Sequence, residues 1–232
     1  MSAVAELSSP ALSSAPRALA GAHLAEVVSV SDPDRLARVQ VRLLGWDGVG
    51  EQDAPVWARV ASPFAGGDRG AFLIPDVGDE VLVVFAGGDP RFPIVVGGLW
   101  NGGAAPPESL SGDRVDRWAL VSRKGSKISI VEESSPVITL ETPGGVSATL
   151  TDQGGGEIEL SASGTTITIN SQGVSVQSGG KVSVQASQVD VSAGMVKVDA
   201  AMSTFSGMVK CDVLQASTVI ASTYTPGAGN VW

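Results

Sequence analysis

Apolar residues recur as alternate-residue pairs down the C-terminal half of this chain. The pairs are Ile158/Leu160, Ile167/Ile169, Val174/Val176, Val182/Val184, Val189/Val191 and Val196/Val198. From Ile167 onward they start 7, 8, 7 and 7 residues apart. Side chains alternate across a strand, so each pair puts two apolar groups on one face of a short strand. The residues between are Ser, Gly, Gln, Asn and Thr, which suit turns. A chain that turns after every short strand builds something long and repetitive. Such short strands are not stable singly, and their apolar faces must be covered by successive rungs and by neighbouring chains. One chain with two inward residues per rung encloses little volume. Three chains wound about one axis place six apolar residues in each layer and seal the sides, which predicts an obligate homotrimer with these pairs as its core.

Composition fits an all-β protein: 29 glycines and 13 prolines punctuate 232 residues. The net charge of −9 argues against a general nucleic-acid binder, which needs a basic surface. No run approaches the length of a transmembrane helix. Residues 1–20 read as a flexible Ala/Ser/Pro-rich arm with no secretory signal, so synthesis in the cytoplasm is expected. The single cysteine, Cys211, excludes an intrachain disulfide framework and reads as a small apolar residue.

The chain changes character near residues 101–117. Eight of its eleven aromatic residues lie at or before Trp118, so a mixed core belongs to the first half. Strands are expected at Glu26–Val30, Ala37–Leu43, Pro55–Val60, Ala71–Ile74, Glu80–Phe85 and Pro93–Val96, with turns at Asp32-Pro33-Asp34, Pro75–Asp79 and Gly87–Pro90. Ala18–Ala25 reads as a short helix-like segment before the first of them. A meander of five or six strands in so few residues closes most economically into a small barrel, which removes exposed edges.

The residues of this half resemble the OB-fold domain of contractile-tail spikes, the family of phage baseplate assembly protein V, the phage tail-spike lysozyme and the VgrG proteins of type VI secretion. The resemblance rests on Asp32-Pro33-Asp34, Arg38-Val39, Val41, Trp57-Ala58-Arg59-Val60, Ala65-Gly66, Gly70, the stretch Pro75–Phe85, Gly88-Asp89-Pro90, Pro93–Gly97 and Leu99-Trp100-Asn101. The second half looks like the stalk of the same spikes, an intertwined triple-stranded β-helix. The resemblance implies an OB-fold domain over residues 21–103, a linker over 104–118, a β-helical needle over 119–218 and a tip or cap segment over 219–232. It also implies a hub protein as a separate chain, since only about 20 residues precede the barrel. The inner tube and sheath are implied as indirect partners, and the target envelope is contacted on firing. The short linker leaves no room for an inserted lysozyme domain. Some needles of this family hold a metal at the tip with paired histidines, whereas the sole histidine here is His23, so no metal or cofactor is expected. Tyr224, Val231 and Trp232, where the pair pattern has lapsed, are candidates for a cap or for contact with a tip protein or cargo.

Candidate chemistry is sparse. Asp79/Glu80 and Glu132/Glu133 are sequence neighbours, which a strand points to opposite faces, so neither makes a natural acid–base dyad. Glu157 and Glu159 share a face opposite Ile158 and Leu160, as in an amphipathic strand. Gly66-Gly67, Gly87-Gly88 and Gly97-Gly98 lack the Lys-Ser/Thr partner of a phosphate loop. Arg123, Lys124 and Lys127 form a basic cluster where the needle begins, either a solvated collar or a contact for an acidic hub. The expected protein is a non-enzymatic central spike of a contractile injection system, assembled into a phage-tail-like particle. The alternatives are an OB-fold nucleic-acid binder with a fibrous tail and a cell-wall-degrading spike. The first is disfavoured by nine arginines against fifteen acids up to Trp118.

Overall fold

The computed structural model describes residues 19, 21–46 and 54–223. Tyr224, Val231, Trp232 and nearly all of the N-terminal arm lie outside the described residues. The chain divides into two units, residues 1–181 and 182–232.

Five strands of the first unit close into a barrel: β1 (Ala22–Ser29), β2 (Val39–Leu43), β3 (Val56–Val60), β6 (Glu80–Phe85) and β7 (Pro93–Leu99). Between β3 and β6 lies a tight hairpin of β4 (Ala65–Gly66) and β5 (Arg69–Gly70). The spatial order is β1-β2-β3-β7-β6, with β6 returning to β1, and β3–β7 as a parallel pair. This is the five-stranded OB arrangement. Period-2 alternation determines what goes inside. Ala25 and Val27, Val39 and Val41, Val81, Val83 and Phe85, with Ala58 and Val95, are the buried core. Glu26 and Arg42 are directly opposed on the outer side of β1 and β2 and form an ion pair at 2.7 Å.

Two expectations for this half are corrected. Ala22–Ala25 is not helix-like: it begins β1 and pairs with β6 through Ala22–Val84 and His23–Val83. Tertiary pairing overrides the helical preference of an Ala-rich stretch. Ala71–Ile74 forms no strand. The backbone there leaves the hairpin after Ala71 N–H donates to the Phe64 carbonyl, and only Ile74 packs against the core.

The second sheet of this unit is a seven-stranded antiparallel meander. Its strands are β8 (Arg117–Val121), β9 (Lys127–Glu132), β10 (Pro136–Glu141), β11 (Ser147–Thr151), β12 (Glu157–Ala162), β13 (Thr165–Asn170) and β14 (Gly173–Ser178), in sequence order. Its turns use positive-φ glycines where the chain reverses, among them Gly125 (φ 87°) and Gly164 (φ 77°).

The second unit differs from the expectation of short strands carried through to residue 218. It contains no strand among its described residues, and these are all exposed in the single chain. Val182, Val184, Val189, Val191, Val196 and Val198, expected in the core of a trimer, are each more than half exposed in the single chain. The physical reason is the one that predicted a trimer. A rung with two apolar residues has nothing in its own chain to close against, and a strand without a neighbour has no ladder to join.

Candidate assembly surface

The register of the seven-stranded sheet lines up its apolar residues. One row crosses all seven strands as Trp118, Ile130, Ile138, Leu150, Ile158, Ile169 and Val174. The next row on the same face, two residues along each strand, is Leu120, Ile128, Leu140, Ala148, Leu160, Ile167 and Val176. The opposite face carries Ser129, Thr139, Thr149, Glu159, Thr168 and Ser175 in one row. An antiparallel sheet that buries one face writes this pattern. Yet the apolar face is open: Ile158, Leu160 and Ile169 remain about two-fifths exposed, and Val174 is 70% exposed. A continuous uncovered apolar face of this extent marks an interaction surface.

Six of the twelve residues expected at an assembly core lie together on this face: Ile158, Leu160, Ile167, Ile169, Val174 and Val176. The other six are Val182, Val184, Val189, Val191, Val196 and Val198. They lie in the second unit and are exposed. Trp118, Leu120, Ile128 and Ile130 extend the face onto β8 and β9. Sequence reasoning passed over them, although Trp118-Ala119-Leu120 and Ile128-Ser129-Ile130 carry the same alternation.

The polar face is covered by the chain itself at its first two strands. Glu108, in the segment between barrel and sheet, pairs with Lys127 at 2.5 Å and lies 3.7 Å from Arg117. Arg117 also pairs with Asp116 at 2.9 Å and with Glu133. Arg117 and Lys127 both occupy the polar face, and Ser129 between them is buried. Lys127 and then Arg117 hold the Glu108 carboxyl below its ordinary range, and Arg117 does the same for Asp116. Arg123 pairs with Asp76 of the barrel's β5–β6 segment at 2.8 Å. Two members of the basic cluster are thus tied to carboxylates of their own chain. The connection from barrel to sheet is pinned on the polar side, and the apolar side is left open in the single chain.

The barrel's most constructed element is the β1–β2 loop. Asp32 accepts hydrogen bonds from the backbone N–H of Asp34, Leu36 and Arg38, and from the Arg38 guanidinium at 2.6 Å. Arg38 also reaches Asp34 at 2.6 Å and lies over the Trp57 ring. The Arg38 hydrogen bonds, helped by the backbone donors, hold the Asp32 carboxyl far below its ordinary range. Likewise, Arg91 brings Asp89 down to about 2.

No arrangement for catalysis emerges at the flagged carboxylates. Asp79 accepts from the backbone of Asp76, Glu80 from Asn101, Glu157 from Asn170, and Glu133 is held by Arg117. His23 stands on β1 with its ring edge-on to Phe85. Among the described residues no three His, Cys, Asp or Glu side chains are placed to hold a metal ion, and no helix is long and apolar enough to cross a membrane.

Comparison with known proteins identifies both halves. Residues 23–100 match the family model of the type VI secretion system/phage-baseplate injector OB domain, and residues 137–199 match that of the phage baseplate V C-terminal trimerisation domain. Similar proteins include the type VI secretion system spike protein VgrG4b of Pseudomonas aeruginosa, 43% identical over 79 residues, which is 33% of this chain and 10% of the relative. The spike protein VgrG2a of the same organism is 37% identical over 84 residues, 35% of this chain and 10% of the relative. The actin cross-linking toxin VgrG1 of Vibrio cholerae is 35% identical over 79 residues, 33% of this chain and 7% of the relative. The alignments thus span a tenth or less of these relatives' length.

Proposed function

The chain belongs to the phage baseplate V and VgrG spike family, with an injector OB domain followed by a trimerisation domain, and from that premise we propose that it is a non-enzymatic central spike of a contractile injection system. Three copies assemble with their apolar sheet faces inward, each sheet forming one wall of a three-sided shaft. The observation that carries this reading is the pair of unbroken apolar rows over β8–β14, left open by one chain and overlapping the segment that matches a trimerisation domain. Covering a Val, Leu or Ile fully is worth roughly 1.5–3 kcal/mol, so the partly exposed Val, Leu and Ile residues of the two rows supply ample drive.

The valine pairs Val182/Val184, Val189/Val191 and Val196/Val198 continue the shaft. Their strands form only when a neighbouring chain supplies the pairing, so folding and assembly are one event there. The barrel sits beneath the hub and inner tube, and sheath contraction drives the trimer into the target envelope. Axial load passes from barrel to shaft through the pinned connection at Asp76–Arg123 and Glu108–Lys127. Where strands pair between chains beyond Val182, the shaft resists load kinetically, since separation requires many rungs to break together. The function in this reading is transmission of force, with no bond made or broken. A tip protein or cargo is held by the segment that contains Tyr224, Val231 and Trp232.

Sedimentation of the purified chain tests the proposal. The expected particle has three times the chain mass of 23.5 kDa and is elongated. A compact monomer overturns it.

A further inference from the structure

The barrel carries a second exposed surface, lined by residues other than those of the apolar sheet rows. The β1–β2 loop presents Arg35 and Leu36, β3 presents Arg59, and the hairpin region presents Phe64, Arg69 and Phe72, all around one open groove. Phe72 is 78% exposed, Leu36 68% and Phe64 60%. The groove floor includes the partly buried Val60 and Ile74, which pack against the barrel core. Among the described residues Arg35, Arg59 and Arg69 make no ion pair, in contrast to Arg38 behind them, which is committed to Asp32 and Asp34. Asp68 is the lone carboxylate on the groove.

The two segments that display these side chains are fixed rather than slack. Asp32 ties the first by its backbone and guanidinium hydrogen bonds. Ser62 Oγ ties the second, its one hydroxyl proton facing the Ala71 carbonyl at 2.7 Å and the Phe64 carbonyl at 3.0 Å. Gly70, at φ 156°, is tightly packed, since a Cβ there would lie 3.0 Å from the Phe64 carbonyl oxygen. Among the described residues, three of the four non-glycine residues in the left-handed region line this one groove: Arg35 at φ 56°, Ala37 at 54° and Asp68 at 53°. Left-handed backbone at residues with a Cβ costs free energy and persists where the surroundings enforce it, which is commonly at binding sites. Aromatic residues and arginine together are the usual anchors of a protein interface.

We propose that this groove docks an acidic, apolar-bearing segment of another protein, its aliphatic side chains seated between Phe64 and Phe72 and its carboxylates met by Arg35, Arg59 and Arg69. Charge complementarity selects the occupant, because these guanidiniums are concentrated on a chain whose net charge is −9. A nucleic-acid strand fits less well. It needs a continuous basic track, and the aliphatic floor and Leu36 offer nothing to a phosphate backbone.

The test uses the full-length chain and a fluorescent peptide of alternating Leu and Glu, with an alternating Leu and Lys peptide and an oligo-dT strand as comparators. The expected result is saturable binding of the Leu/Glu peptide alone. The double variant Arg59→Glu/Arg69→Glu should lose about tenfold or more in affinity and acquire binding of the Leu/Lys peptide, and Phe72→Ser should lose roughly tenfold. All three side chains are exposed, so thermal midpoints and sedimentation should not move. No binding of the Leu/Glu peptide, or equal binding by the variants, overturns the proposal. Binding of oligo-dT that the double variant abolishes overturns it in favour of a nucleic-acid site. Sedimentation tests the spike reading independently, so failure of one does not mimic failure of the other.

Discussion

The barrel and the seven-stranded sheet use the same building material and reach opposite ends. Val81 and Val83 of β6 alternate with Leu82 as Val174 and Val176 of β14 alternate with Ser175, yet the first pair is fully buried and the second is 70% and 53% exposed. The difference is closure. In the barrel β6 returns to β1, so five strands enclose their own interior. In the sheet β8 and β14 are edges that never meet, and the apolar rows look out. A two-residue apolar face is thus complete in one setting and a demand for partners in the other. Alternation tells which face is apolar; topology decides whether the chain can satisfy that face alone.

The sharpest way to break the contrast is to charge the open face. Leu160→Asp puts three carboxylates into one layer of the proposed shaft, where each is deprived of water and faces its own copies. Assembly should be lost altogether, leaving a monomer in sedimentation with its barrel folded. Thr149→Asp, on the opposite face of the neighbouring strand, should assemble normally. Val184→Asp and Val191→Asp ask whether the shaft continues past β14. Loss of the trimer places these valines inside it, and normal assembly ends the interface at the sheet. If Leu160→Asp still forms trimers, the inward face is misassigned.

The reciprocal perturbation belongs to the barrel. Val83→Ala removes two methyl groups from a side chain with no exposure, which should destabilise the barrel by about 1–3 kcal/mol. The thermal midpoint of the barrel should fall while the sedimenting mass is unchanged. Loss of the trimer with the barrel would show that the two regions fold as one cooperative unit, contrary to the contrast drawn above.

How legible this was depends on where the partner of each residue lies. The β6 strand is readable over its whole length, because an unbroken apolar run from Val81 to Phe85, mostly β-branched and aromatic, lies between a Gly78 turn and a Gly87-Gly88 turn, although which side chains face inward is settled only by the barrel. Ala22–Ala25 misled, because its Ala-rich composition speaks for a helix while its strand character comes from β2 and β6, distant in sequence. The pairs at Ile158/Leu160 through Val174/Val176 announce one face plainly. What no local pattern contains is that registers across seven strands merge them with Trp118 and Ile130 into continuous rows. Nor could spacing disclose the Glu108 contact with Lys127 and Arg117, since ion pairs between distant segments leave no periodic trace. Beyond Val182 the situation is inverted. The periodicity through Val189, Val191, Val196 and Val198 is clear, and the single chain has no structure in which to express it.

The smallest expected effect separates the regions by pH. The Asp32 carboxyl, held well below its ordinary range chiefly by Arg38, stabilises the barrel fully above the unfolded value of about 3.9 and loses that contribution progressively as pH falls from there down through its lowered folded value. The wild-type barrel midpoint should therefore decline steeply below about pH 4. Asp32→Asn should have a lower midpoint at neutral pH and a shallower decline, so the two curves converge in acid. Asp89, brought down to about 2 by Arg91, is present in both and leaves a common residual slope. The apolar rows carry no titratable group, whereas Glu157 and Glu159 lie on the polar face. Trimer dissociation should accordingly show no such convergence between wild type and Asp32→Asn. Parallel barrel curves for the two proteins would remove Asp32 as the pin of the β1–β2 loop. A matching convergence in trimer dissociation would mean that the barrel, and not the sheet face alone, holds the three copies together.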